Sequence, residues 1–342
     1  VTDANLVLGR LSADRFLGGQ MALHEAPARA AVGALAVEMG ATVAAAALAI
    51  VRVANAAMER AIRRVSVERG HDPRRFTLLA FGGGGPLHAC ELAAALGIPR
   101  VLVPLTPGVL SALGMLAAAP TRDTSQSAIR PLAGLTAEWL DAAFAPLAAR
   151  LAAEMRAEGH NPAALTWQRA LDMRYVGQSH ELTVAGGAWQ VAGEEGSDAG
   201  KLATGDEAGA KIAAAFHAAH AARYGYDRPE AAVELVTLRL SVEAAHTPPP
   251  LSDEAPGAAD AGAARVGTAA IWFADGVHET ALYERDQLRA GMAFAGPAVI
   301  YQYDTTTLLP PGWSARVDGR RNMVLERFQG PGYRGQGHQA LP

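Results

Sequence analysis

Apolar positions in the first part of the chain recur at helical spacing, then at strand spacing. Ile50, Val53, Ala54, Ala57, Met58, Ala61, Ile62 and Val65 fall three or four residues apart, which predicts a helix with one buried stripe. Thr42 is placed to cap that helix and Gly70 to end it, so the element is expected over 42–69. An earlier helix is expected over 27–39, stopped by Gly40. Val1 to Gly9 reads as a short connecting or ligand-side segment, and Ser12 to Gly19 as a loop. After Asp72-Pro73, Phe76 to Phe81 forms a short apolar run that stops at Gly82-Gly83-Gly84-Gly85. A helical pattern over 87–96 follows, ended by Gly97, and then a second apolar run over 100–104. Strand, turn, helix and strand make a β-α-β unit, with parallel strands and a right-handed crossover. A helix over 109–118 and a strand over 121–129 come next.

In the remaining part, 136–159 is amphipathic, with Trp139, Leu140, Phe144, Leu147 and Leu151 on one face. Strands are expected over 165–176 and 182–185 on either side of Gly177-Gln-Ser-His-Glu181. Residues 186–207 read as an exposed insertion, 208–223 as a helix, 232–244 as a strand and 247–264 as a linker. Short strands over 269–273, 279–283, 298–301, 306–309 and 314–317 suggest a compact β unit, and a disordered tail is expected beyond Phe328.

Composition narrows the class. The chain of 342 residues is long enough for two domains, and 50% hydrophobic with 19% charged residues makes it globular. A formal net charge of −4 gives no reason to expect nucleic acid or an anionic membrane as partner. The alanine-rich stretch Ala41 to Ile50 is too short for a membrane span, and no signal peptide is expected from the opening residues. One cysteine, Cys90, excludes an intrachain disulfide framework and agrees with a reducing, cytoplasmic setting. The first residue is Val1, so the sequence is expected to be the C-terminal portion of a longer protein.

The candidate chemistry starts at the four glycines. Glycine tolerates positive φ and has no Cβ, so a flat or anionic ligand can approach the main chain closely. Pro86 suits the first helical position, and the free N–H groups of that turn favour ligand oxygens. The spacing is neither a Walker A loop nor a Rossmann fingerprint. His88, two residues into the helix, reads as a structural residue before a catalyst, and Cys90 as a packed small apolar residue. Asp3 and Asn5 suit either phosphate-bound magnesium or capping of the next turn. His180 beside Glu181 offers a proton-transfer pair, but neighbours in a strand point to opposite faces. His217 and His220 stand three apart on a helix with no third metal ligand evident, so packing is favoured and no metal site is expected from protein side chains.

The run Phe81-Gly-Gly-Gly-Gly-Pro-Leu-His-Ala-Cys90, with Pro104-Leu-Thr-Pro-Gly-Val-Leu-Ser-Ala-Leu-Gly-Met115 and Val1-Thr-Asp-Ala-Asn-Leu-Val-Leu-Gly9, resembles the hydantoinase A/oxoprolinase family. Asp172-Met-Arg-Tyr-Val-Gly-Gln-Ser-His-Glu-Leu182, Tyr224-Gly-Tyr-Asp227, Gly296-Pro-Ala-Val-Ile300, Asp304-Thr-Thr-Thr307 and Pro310-Pro-Gly-Trp313 are similar to its C-terminal region. Tyr301 and Gln302 stand where an acidic pair is common in the family, and Gly84 where alanine is usual. The resemblance implies an α/β fold: part of an actin-like ATPase (ribonuclease H-like) nucleotide domain over 1–130, then a smaller α+β domain over 131–328. It implies ATP with Mg²⁺, and Gly82, Gly83, Gly84 and Gly85 as the adenosine-binding turn. A small cyclic amide as substrate, a hydantoinase B-type partner subunit and an oligomer are implied with it. The family's phosphate loop, an Asp-x-Gly-Gly-Thr segment, is not in this sequence. Catalytic residues stay open, with Asp3, His180 and Glu181 as the candidates. The activity implied is ATP-dependent hydrolysis of a cyclic amide. An acetone-type carboxylase subunit and an ATP-binding module without hydrolytic chemistry are the alternatives.

Overall fold

A computed structural model describes residues 1–186 and 207–328. The expected insertion lies almost entirely, and the expected tail wholly, outside the described residues. Two compact units emerge: Val1–Met115 with the described residues from Pro250 onward, and Leu116–Pro249. The grouping differs from a 1–130/131–328 division, because the last strands of the chain return to the first unit.

The first unit opens with three helices: α1 (Thr2–Val7), α2 (Glu25–Glu38) and α3 (Val43–Val65). Residues 1–9, read above as a connecting segment, thus begin with a helix that buries Ala4 and carries the chain to buried Leu8. Thr42 caps α3 by accepting from the N–H of Ala45, and Gly70 lies in the left-handed region at φ 81°. The stripe expected along α3 is corrected. Ala46, Ala47 and Val51 are buried against α1 and α2, whereas Val53 and Val65 are 70% and 57% exposed. Periodicity identifies an apolar face, but only a neighbouring element buries it.

The β-α-β unit forms as expected: β1 (Thr77–Leu79), α4 (Gly85–Leu96) and β2 (Arg100–Val103), with β1 and β2 parallel. Pro86 sits in the first turn of α4, and Gly97 ends it at φ 68°. A further helix, α5, runs Leu110–Ala117. The sheet is completed from the far end of the chain. β9 (Ala293–Ala295), β12 (Trp313–Val317) and β13 (Met323–Arg327) give the order β1-β2-β13-β12-β9, with β13 antiparallel to β2. Cys90, Leu96, Val101, Val103, Trp313 and Leu325 pack in its core. A second sheet, in the order β11-β10-β8-β7, holds β7 (Arg265–Phe273), β8 (Gly276–Glu284), β10 (Ala298–Tyr301) and β11 (Thr306–Leu309). The expected compact β unit is therefore divided between two sheets, and β9 and β13 were not foreseen.

The second unit has one antiparallel sheet, β3-β6-β4-β5, of β3 (Thr121–Pro131), β4 (Leu165–Tyr175), β5 (Leu182–Ala185) and β6 (Val233–Ala244). It packs with α6 (Ala137–Ala157) and α7 (Glu207–Tyr224). Leu140, Phe144, Leu147 and Leu151 of α6 are buried on the expected face, with Met155 extending it. Among the described residues no single helix is long and apolar enough to cross a membrane.

Candidate functional site

The glycine turn joins β1 to α4 and is held by residues far away in sequence. The Gly82 N–H donates to the Pro107 carbonyl at 2.7 Å. The Thr305 hydroxyl donates to the Gly83 carbonyl at 2.9 Å. Of the four glycines, Gly82 alone uses the permitted positive φ, at 80°. At Gly84 a Cβ would meet nothing within 4 Å, and at Gly83 the nearest atom would be the Asp304 carbonyl oxygen at 3.4 Å. The turn is therefore a bare backbone surface at a helix N-terminus. Across from it, a Cβ on Gly108 would collide with the Asp304 side chain, so glycine there makes room for that carboxylate.

Beside the turn lies a cavity of ≈ 200 Å³, lined by Gly83, Gly84, His88, Asn5, Gln302 and Asp304 among others. Three lining residues carry buried acceptors with no hydrogen-bond partner among the described residues: Asn5 Oδ1, Gln302 Oε1 and Asp304 Oδ1. Gln302 donates its Nε2 to the Leu105 carbonyl and Asn5 its Nδ2 to the Val1 carbonyl, which orients both amides. Arg15 borders the cavity, bonded to Glu284 with its guanidinium 5.3 Å from the centre of the Tyr301 ring. A polar chain runs behind the cavity through His88, Asn55, Glu91 and Arg10. Burial lowers the His88 pKa, with Arg10 adding to the effect and Glu91 opposing it. Burial also lowers the Arg10 pKa, against the pull of Glu91. The two charges stand 3.0 Å apart without a well-aligned hydrogen bond.

The residues singled out from sequence separate. Gly83 and Gly84 line the cavity with Asn5, whereas Asp3 is exposed and outside its lining. His180 and Glu181 belong to the second unit, exposed at the β4–β5 turn, with the Glu181 carboxylate 4.0 Å from Arg174. His217 and His220 are engaged as packing residues: His217 Nδ1 with the Tyr175 hydroxyl at 2.8 Å, His220 Nδ1 with the Tyr226 carbonyl at 2.7 Å. Cys90 is 2% exposed, and burial pushes its thiol far above the ordinary range, so no thiolate forms there. Sequence reasoning missed Gln302 and Asp304 as site residues. Their signal was the Asp304-Thr-Thr-Thr307 motif, which has no local feature tying it to the turn. A hollow of ≈ 860 Å³ on the second unit's sheet, bordered by Arg169 and Arg239, contains no orphaned acceptor among the described residues.

Comparison with known proteins places this architecture. The nucleotide-free structure of acetone carboxylase matches 96% of this chain and 46% of its own, with a TM-score of 0.81 at 24% identity. The crystal structure of ATP-dependent caprolactamase from Pseudomonas jessenii matches 96% and 47%, with a TM-score of 0.72 at 32% identity. The fold is an α/β fold of the actin-like ATPase type. A hydantoinase/oxoprolinase model matches residues 1–124, and the hydantoinase/oxoprolinase C-terminal domain model matches 132–328. The chain belongs to the hydantoinase/oxoprolinase family. Among relatives, an uncharacterized protein of Methanocaldococcus jannaschii is 35% identical over 96% of this chain and 44% of its own length. The caprolactamase subunit alpha of Pseudomonas jessenii is 32% identical over 93% and 45%. The acetone carboxylase beta subunit of Xanthobacter autotrophicus is 26% identical over 94% and 45%. The chain thus spans under half the length of these relatives.

Proposed function

We propose that this chain is part of an ATP-dependent enzyme that opens a cyclic amide. One observation carries the reading: a bare glycine surface at the start of α4 and Asp304, whose Oδ1 is buried without a partner, line the same small cavity. Backbone N–H groups at a helix N-terminus suit nucleotide oxygens. The residues present fit part of a nucleotide, since nothing projects from the turn. Magnesium is commonly bound by one or two carboxylates together with substrate phosphates, and Asp304 is the residue that would supply the carboxylate. ATP supplies phosphorylation of the amide oxygen, which turns an inert carbonyl into a strong electrophile. This chain contributes placement: Gly82 and Thr305 shape the turn, and Gly108 admits Asp304.

Sequence identity favours an amide over a ketone, although the structural overlap is greater with acetone carboxylase, at a TM-score of 0.81 against 0.72. Identity to the caprolactamase subunit is 32%, against 26% to the acetone carboxylase subunit. Both are named as subunits, and a hydantoinase B-type partner completes the proposed enzyme. The test uses the full-length protein with that partner, following phosphate release with 5-oxoproline, hydantoin, caprolactam or acetone as substrate. Phosphate release coupled to ring opening supports the reading. Release only with acetone and bicarbonate replaces it with the carboxylase, and nucleotide binding without turnover of any of them leaves a binding module.

A further inference from the structure

The chain of side chains behind the glycine turn presents one atom to the cavity. Asn55 Nδ2 donates to Glu91 Oε2 at 2.5 Å, so the Asn55 oxygen faces the other way, 2.8 Å from His88 Nδ1. That oxygen only accepts, which places the imidazole proton on Nδ1 and leaves Nε2 with its lone pair. Glu91 is fixed in turn by Arg10, 3.0 Å away, and Arg10 Nε donates to the Trp272 carbonyl at 3.0 Å. Three side chains, from α3, α4 and the segment after α1, therefore set the tautomer and rotation of one ring. Nδ1 is the ring nitrogen with a recorded partner, Nε2 is not among the enclosed unpartnered atoms, and His88 lines the cavity. It shares that cavity with Asn5 Oδ1, Gln302 Oε1 and Asp304 Oδ1, all of them acceptors without donors.

We propose that His88 Nε2 is the acceptor by which this cavity recognises an N–H group on its ligand, with Asn55, Glu91 and Arg10 as positioning residues. Three unpartnered acceptors in the lining favour a hydrogen-bond donor on the ligand beside His88, while Arg15 and the Gly83–Gly84 backbone on the same lining suit oxygens. The volume of ≈ 200 Å³ admits one small ring and not a whole nucleotide. The ligand is therefore a planar heterocycle with an exposed N–H. Two sources supply that chemistry in the reaction proposed above: the ring amide and the amino-purine of ATP. The inference rests on that reading for the ligand's name alone.

The experiment is ¹⁵N NMR of His88 in the full-length protein, with ring nitrogens resolved by long-range ¹H–¹⁵N correlation. At neutral pH the expected spectrum is a protonated Nδ1 and a bare Nε2. Hydantoin or adenosine should shift Nε2 toward the hydrogen-bonded position, and the ligand that does so identifies the source. Its N-methylated counterpart, 1,3-dimethylhydantoin or N6,N6-dimethyladenosine, should leave Nε2 in place. Asn55→Leu should mix the tautomers and weaken the N–H ligand about fivefold, the order of one hydrogen bond. An Nε2–H tautomer in the wild-type protein, an equal response to the methylated ligand, or no response to either heterocycle overturns the proposal. The wild-type spectrum decides even if Asn55→Leu does not fold. Loss of ATP-coupled ring opening with this signature intact would reject the proposed function and leave the His88 assignment standing.

Discussion

The hydroxyl of Thr305 donates to the carbonyl of Gly83 at 2.9 Å across a separation of 222 residues. The bond ties the residue before β11 to the glycine turn that lines the cavity. Thr305→Val should lower stability by about 1 kcal/mol, the usual contribution of one such bond, while Thr305→Ser should lose less than half of that. Urea unfolding checks the stability. Equilibrium titration of the full-length protein with ATP should show weaker binding in the valine variant.

Gly82 and Gly83 should respond differently to alanine. At φ 80°, Gly82 takes a conformation that costs an L-residue about 1–2 kcal/mol, so Gly82→Ala should lower the unfolding midpoint. Gly83→Ala places a Cβ 3.4 Å from the Asp304 carbonyl oxygen and should fold normally. Gly83→Val should weaken ATP at least tenfold, roughly 1.4 kcal/mol, by blocking close approach to the backbone. Unchanged nucleotide affinity in a folded valine variant would leave the turn a structural device.

Cys90→Ala should keep turnover within a few-fold of wild type. The side chain is 2% exposed in the core of the first unit, and its thiol stays protonated. A nucleophile would instead lose several orders of magnitude in rate. Ring opening and phosphate release, measured together in the reconstituted enzyme, separate the two outcomes.

Arg285 offers a test of buried charge. It is fully buried, its Nη2 donates to the Arg321 carbonyl, and Nε and Nη1 have no hydrogen-bond partner among the described residues. Burial, with Arg321 nearby, pulls its pKa down to about 10, so it still carries its charge at neutral pH. Desolvating an unpaired charge outweighs what one bond returns, and Arg285→Met should be neutral or stabilising. A loss above about 3 kcal/mol in urea unfolding, the cost typical of breaking a buried pair, would show that the guanidinium organises its surroundings.

Stability should fall on the acid side through His88. Its folded pKa lies below the unfolded value, so the unfolded chain binds the proton first as pH drops. The neutral ring's contribution is complete above about pH 6.5 and declines below it. Glu91 opposes this trend and Arg10 reinforces it. Urea midpoints at pH 7.5 and 5.5 should separate more for wild type than for His88→Gln; equal separations would remove His88 from the acid sensitivity.

Local physics made β1, the glycine turn, α4 and β2 legible in the sequence. An apolar run stopping at glycines, a proline in the first helical turn and a terminal glycine are each decided within a few residues. The α6 face was readable for the same reason, because its apolar period lies within one element. Alternation marks a strand but carries no information on its partner, so the pairing of β13 with β2 came only with the fold. The α3 stripe failed because an apolar face says nothing about what covers it: Val51 is packed and Val53 is not. The cavity shows the same division. Sequence supplied the bare backbone of Gly83 and Gly84, whose chemistry is local. Only tertiary structure brought Asn5, Gln302 and Asp304 to it and set His88 behind Asn55, since these contacts join residues with no shared local pattern.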